Sequence, residues 1–423
     1  MYRIGVSLRS KLERLSTPKS ARGPAPILAK STAALDDLRG RMQRILERSV
    51  TDKPRRPHAV ETEDLPFSSV ETERGLLHVR RLELGATQRV GNAPVFAARH
   101  VDSRLLSLLA LDPRLAGVDF ERALYLDTET TGLSGGTGTV AFLVGLAFFS
   151  GDKLVVEQVL VRNLGEEAPM LERVLQRLRE ASSIVTFNGK AFDMPLLRTR
   201  LLMSRLDEAP DLPHLDLLHV ARRLHKPRGV ECRLVSIERD VLGFERQDDT
   251  PSGEVSACYL HFLRTGEARP LLGVIEHNTW DVLTMAALAG LYGEPIDSSR
   301  LVPDDLAGVS LTLKRSRAFG DAVDAANRAM ESNSPLSLRA GAEVAKAMGD
   351  RDRALTLFER VAEEVDCKKT RLELAKLYEH HAKDAERALK QLERGTSEDA
   401  PASEKRRARL VLKTAKKSQQ RLF

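Results

Sequence analysis

The residues best suited to chemistry are carboxylates in three separate stretches. LYLDTETTG (124–132) ends an apolar run in Asp127 and Glu129. On a strand, residues i and i+2 share a face, so these two like charges stand side by side and ask for a counter-ion. FNGKAFDMPLL (187–197) places Asp193 in the first turns of a helix that starts just past a strand end. EHNTWDVLTMAALAG (276–290) reads as a helix carrying His277 and Asp281 four apart, hence on one face.

Four acids from three elements offer the hard oxygen donors that Mg²⁺ or Mn²⁺ prefers, which makes Asp127, Glu129, Asp193 and Asp281 the candidate metal ligands. Two such ions roughly 3.5–4 Å apart activate water and stabilise the leaving oxygen of an in-line phosphoryl displacement. His277, whose ordinary pKa of about 6.5 lets it cycle near neutrality, is the candidate proton acceptor. Candidate substrate contacts are Thr130, Gly135, Gly136, Asn188, Lys190 and Asn278: the glycines of GLSGGTG (132–138) let a nucleotide strand come close, and Lys190 offers charge to a phosphate, as do Arg198, Arg222, Arg223 and Lys226. The same loop fits G-x-S-x-G, but that elbow needs a helix directly after the serine, and TVAFLVGLAFF (139–149) reads as a strand. No lysine follows the glycines as a phosphate-cradling loop requires. Asp216, before LLHVARRL, reads as a helix N-cap, and Trp280 as core.

Positioning these groups requires a sheet. From Ala123 the pattern is strand ALYLD, strand TVAFLVGLAFF, strand KLVVEQVLVRN, helix APMLERVLQRLREA, strand SIVTFN, helix AFDMPLLRTRLLM, a short run PHLDLL, then mostly helices to Leu291. Gly151-Asp152 between the second and third runs is a hairpin signal. Three strands in a meander followed by alternating helix and strand give a mixed sheet of five strands with helices on its faces. Before it, GLLHVRRLELG (75–85) predicts a hairpin and LLSLLALDPRL (105–115) a helix.

The last third is helical with an internal echo. RALTLFER (353–360) and RALKQLER (387–394) stand 34 residues apart, the tetratricopeptide period. Their leading helices, placed near Ala345 and Ala375, are only 30 apart, and RAFGDAVDAANRAM (317–330) is a candidate third unit. Such a stack would offer a concave face to a protein partner.

The resulting organisation is a basic segment (1–60) with a possible helix over Ala33–Arg48, an extension (61–118), an α/β domain (119–296), a helical domain (300–400) and a basic tail (401–423). Residues 1–60 carry 14 Lys and Arg against 5 Asp and Glu, and residues 401–423 carry 8 against 1. Basic arms on an acidic body suit a polyanion such as nucleic acid. With 423 residues, 42% hydrophobic and 30% charged, the chain can bury more than one core. It has no window of about 18 apolar residues and no secretory h-region, so a cytoplasmic protein without a membrane partner is expected. Cys232, Cys258 and Cys367 are too scattered for a disulfide framework or a Cys-x-x-Cys zinc site.

LDTETTGL, FNGKAFDMPLL and HNTWD, in this order, resemble the three exonuclease motifs of the DEDD superfamily, which has a ribonuclease-H-like fold. TETTGLSGGTGTVAFLVG, HLDLLHVARRL and RLVSIERDVLGFERQDDTPSGEV make about residues 70–295 similar to the YprB-type ribonuclease-H-like family. The resemblance implies a 3′-to-5′ exonuclease acting on a DNA or RNA single strand or 3′ end, with Asp127, Glu129, Asp193 and Asp281 on its metal-binding acids. In that superfamily the base is a Tyr four residues before the last Asp or a His five before it. Here His277 stands at the Tyr spacing and Glu276 at the other. The alternative from another class is a non-catalytic nucleic-acid-binding adaptor that uses the basic arms and the helical stack.

Overall fold

The computed structural model describes residues 65–132, 138–247 and 249–420. The helix expected over Ala33–Arg48 and the loop glycines Gly135 and Gly136 lie outside them. The centre is a seven-stranded mixed sheet built from β1 (Ser68–Thr72), β2 (Gly75–Leu84), β3 (Ala123–Thr130), β4 (Ala141–Ser150), β5 (Lys153–Leu160), β6 (Ser183–Thr186) and β7 (His214–Asp216), in the order β1-β2-β5-β4-β3-β6-β7. The five expected strands lie together in it, ribonuclease-H-like in arrangement. The count rises to seven because the hairpin of the extension pairs antiparallel onto β5, from His78 opposite Leu160 to Leu84 opposite Leu154, and covers what would be a free edge.

The meander β3–β4–β5 closes with the expected tight turn. Ser150 pairs with Lys153, and Gly151 takes the positive φ of 57° that a two-residue hairpin loop demands. β3, β6 and β7 run parallel. Pairing of β3 with β6 stops at Tyr125–Val185, so the acidic end of β3 projects beyond its parallel neighbour and opens a crevice there.

The alternation along β3 decides which helices it meets. Leu124 and Leu126 pack with α2 (Ala168–Glu180) and α3 (Asp193–Met203) on one face, beside Val174, Leu178 and Leu197. Tyr125 faces the other way, towards α4 (Leu217–Leu224) and the 24-residue α6 (Arg269–Tyr292), in a cluster with Leu217, Val282 and Met285. By the same alternation Asp127 and Glu129 lie on the α6 face and Thr128 on the α3 face. α6 is apolar around most of its circumference from Val282 to Tyr292, the signature of a helix surrounded by protein. α1 (Ser103–Ala110) and α5 (Val255–Thr265) complete the shell.

The helical region consists of three antiparallel pairs and a closing helix: α7 (Pro303–Arg315) with α8 (Phe319–Ala329), α9 (Pro335–Met348) with α10 (Arg351–Glu364), α11 (Lys368–His380) with α12 (Ala385–Glu393), then α13 (Ala400–Gln420). The echoed segments fall on α10 and α12, whose starts are 34 apart. The leading helices begin at Pro335 and Lys368, 33 apart, which corrects the expected 30: the repeat is more regular than the sequence match implied. The segment 317–330 is the second helix of a further pair. The expected basic tail is helical as far as Gln420, with Leu410 buried and Arg406, Arg409 and Lys413 all bonded to the buried Glu379.

Candidate active site

The end of β3, the start of α3 and one turn of α6 line a cavity of about 380 Å³. Asp127, Glu129, Asp193, His277 and Asp281 all face it, together with Thr130, Asn188 and Phe192. Asp193 reaches the site because α3 begins there, where the helix dipole favours a negative charge. Its Oδ1 accepts a 2.5 Å hydrogen bond from Thr128 Oγ1, so the odd residue of β3 anchors the acid that arrives from the opposite face. Glu129, His277 and Asp281 draw together most closely, with one ligand atom from each within 4.8 Å of the others.

The acids have little to balance them from the solvent side. Burial and the nearby Asp281, Glu129 and Asp193 push Asp127 well above the ordinary carboxylate range. Burial and Asp281 raise Glu129 to about 8. Burial raises Asp193 to about 6 against the opposing bond from Thr128. Glu129 is 9% exposed, and its Oε1 has no hydrogen-bond partner. An all-oxygen set of crowded acids with an orphaned buried oxygen fits divalent cations, which would supply the missing positive charge.

A polar chain supports Asp127 from behind. Asn278 Nδ2 donates to Asp127 Oδ2 at 2.9 Å, Gln158 Nε2 to Asn278 Oδ1 at 2.9 Å, and Arg80 Nη1 to Gln158 Oε1 at 2.8 Å. Gly145 on β4 is what lets Asn278 in, since a Cβ there would sit 2.2 Å from Asn278 Oδ1. Asn278 is 0% exposed, which corrects its expected role as a substrate contact: its amide is used inside the protein.

A second network lies behind Asp281. Arg246, with a side chain 2% exposed, donates through Nη2 to Asp281 Oδ1 and grips Glu238 with two bonds, Nε to Oε2 at 2.8 Å and Nη2 to Oε1 at 2.6 Å. Burial opposes charge on this guanidinium, but Asp281 and Glu238 more than compensate and raise its pKa. His277 Nδ1 lies 2.6 Å from Asp249 Oδ1, while Nε2 lies 3.5 Å from Asp281 Oδ2. Burial would lower its pKa, yet Asp281, Glu129 and Asp249 together raise it. The neighbouring carboxylates therefore favour the charged imidazole.

Other candidates separate by what they touch. Asp216 caps α4 as expected, accepting from Leu218 N at 3.1 Å, and also from the backbone of Asn188 and Lys190, so it fixes the turn between β6 and α3. Asn188 adopts a φ of +74° in that turn. Thr130 lines the cavity, and its Oγ1 donates to the Gly132 carbonyl. The Lys190 ammonium pairs with Asp112 at 3.4 Å, and Arg223 donates to the Leu109 carbonyl, a structural tie. Trp280 packs on Phe244, as expected of a core residue. Sequence reasoning missed Thr128, Phe192, Glu238, Arg246 and Asp249. Phe192 had a signal, an aromatic next to a candidate ligand, and it is 57% exposed at the cavity.

A family model of the RNase_H superfamily matches residues 124–292. Over 311 residues the chain is 32% identical to a protein of Bacillus subtilis (strain 168) described as uncharacterized protein YprB, a stretch that covers 71% of this chain and 75% of that protein.

Proposed function

The chain belongs to the YprB family of the ribonuclease H superfamily, and from that premise we propose that it is a metal-dependent 3′-to-5′ exonuclease. The observation that carries the proposal is the convergence of Asp127, Glu129, Asp193 and Asp281, from three elements and both faces of the sheet, on one open cavity. Those four carboxylates would hold two Mg²⁺ or Mn²⁺ ions. Bound there, the ions supply the charge that activates a water and stabilises the leaving oxygen of a phosphodiester. The protein's own part is placement. Asn278 fixes the direction of Asp127, Thr128 fixes Asp193, and Arg246 fixes Asp281, so the ligands are preorganised.

The exposed ring of Phe192 beside Asp193 offers a stacking face for a terminal base, and Gly132 and Thr139 line the same cavity. The basic residues at the ends of the chain, apart from the Arg406, Arg409 and Lys413 that pair with Glu379, add affinity for phosphate that does not depend on sequence.

The test is the shortening of a 5′-labelled single strand of DNA or RNA by the full-length protein with Mg²⁺ or Mn²⁺. A ladder that descends from the 3′ end, vanishes with chelator and is lost in Asp127→Asn is the expected result. Binding that needs no metal, with no shortening under any of these conditions, would instead identify a nucleic-acid-binding adaptor.

A further inference from the structure

We propose that Glu129, His277 and Asp281 form a distinct half of the metal centre, in which His277 Nε2 is itself a ligand and selects a first-row transition dication such as Mn²⁺ over Mg²⁺. This deepens the reading above and rests on the cavity being a metal centre.

His277 and Asp281 each have one atom engaged by the protein, and each of the three groups has a further atom left for a ligand. Asp249 Oδ1 at 2.6 Å and Arg246 Nη1 at 3.2 Å both stand at Nδ1 of His277, so Nε2 is the nitrogen turned towards the acids. Arg246 engages Oδ1 of Asp281 and leaves Oδ2, 3.5 Å from that Nε2. Glu129 is 9% exposed and offers an Oε1 with no partner at all. The three inward atoms lie within 4.8 Å of one another. A histidine that binds a metal through one nitrogen nearly always gives the other N–H to a carboxylate, a backbone carbonyl or water, and the ligating carboxylates are in turn hydrogen-bonded. Asp249 and Arg246 do both here.

The spacing supports the same assignment. His277 and Asp281 are four apart on α6, so they project from one face and chelate without backbone adjustment. Asp127 and Asp193, which stand outside this trio, leave the other half of the centre all-oxygen. Imidazole nitrogen suits first-row transition ions, whereas Mg²⁺ prefers oxygen and water and keeps its hydration shell. The two halves therefore differ in the ion they hold best.

Calorimetric titration of the ion-free, full-length protein with MnCl₂ and separately with MgCl₂ tests this, using wild type, His277→Gln and Asp249→Asn. Thermal melts establish that each variant is folded, and His277→Gln keeps a side chain able to hydrogen-bond Asp249. The expected result is tighter binding of Mn²⁺ than of Mg²⁺ in wild type, and a loss of Mn²⁺ affinity of about 10–100-fold in His277→Gln while Mg²⁺ affinity holds. Asp249→Asn should lose Mn²⁺ affinity in the same direction. In the Co²⁺-loaded protein, the visible absorption band should shift in His277→Gln. Unchanged Mn²⁺ affinity and an unchanged Co²⁺ spectrum in that folded variant, with slower strand shortening, would overturn the assignment and return His277 to proton transfer, leaving the exonuclease reading intact. His277-dependent Mn²⁺ binding in a protein that shortens no strand would have the opposite meaning: the site stands and the nuclease reading fails.

Discussion

Asp127 and Glu129 share a low-dielectric pocket with Asp281, and without ions the protein answers by keeping protons. Glu129 titrates near 8 in the folded chain and near its ordinary 4.5 when unfolded, so the native state binds a proton that the unfolded state has lost between those values. Stability contributed in this way is complete below about pH 4.5 and is lost as pH rises through about 8. Thermal melts in chelator should therefore show the midpoint falling between pH 5 and 8, with saturating Mn²⁺ reversing the fall. Asp127→Asn, which removes one of the repelling charges, should be no less stable than wild type and show a shallower fall. Arg246 has the reverse role. Arg246→Met strands Glu238, buried and charged, and should cost about 3–5 kcal/mol in urea denaturation, part of which Glu238→Gln restores in the double variant. The four acids were legible in the sequence because carboxylates that end apolar runs are conspicuous. Arg246, Glu238 and Asp249 were not, since neither IERDVL nor FERQDD has a periodicity that marks one charge apart from its neighbours, and only the fold brings Arg246 between Glu238 and Asp281.

At the scale of elements, α6 carries the most. It holds His277 and Asp281 in its middle third and presses Leu288 and Tyr292, both buried, into the main core near its end. Leu288→Ala should cost about 2–5 kcal/mol, read by chemical denaturation, without moving a ligand. Its effect on strand shortening should vanish at temperatures where the variant remains folded. Strands β3 to β7 could be read from apolar runs bounded by turns, and the β4–β5 hairpin from Gly151-Asp152. The added pair β1–β2 was recognised as a hairpin, but nothing local could say that it joins the sheet: edge pairing is a long-range choice, made here by β5. The leading helices of the repeat begin ahead of the expected Ala345 and Ala375, and the start signal for the first of them is Pro335 at the first turn of α9.

At the scale of the whole molecule, α7 packs into the core formed by the sheet and its helices. Leu306, Val309 and Leu313 of α7 belong to the same apolar cluster as Leu224 and Met285, and Gly308 lies so near α4 that a Cβ there would come 2.5 Å from the Leu224 carbonyl oxygen. His225, 0% exposed, is held between Tyr292 at the end of α6 and Asp305 at the start of α7, at 2.8 Å from each. A chain ending at residue 300 should therefore melt lower and elute as aggregate on size exclusion, whatever its ligands. The hairpin β1–β2 offers a last lesson about remoteness. From Arg80, which can only donate, through Gln158 and Asn278 to Asp127, every link has a fixed sense. Turning either amide over would set oxygen against oxygen somewhere along the line. The guanidinium on an accessory strand thus dictates which atom greets the first carboxylate, and a segment that contributes nothing to the cavity wall still sets its polarity.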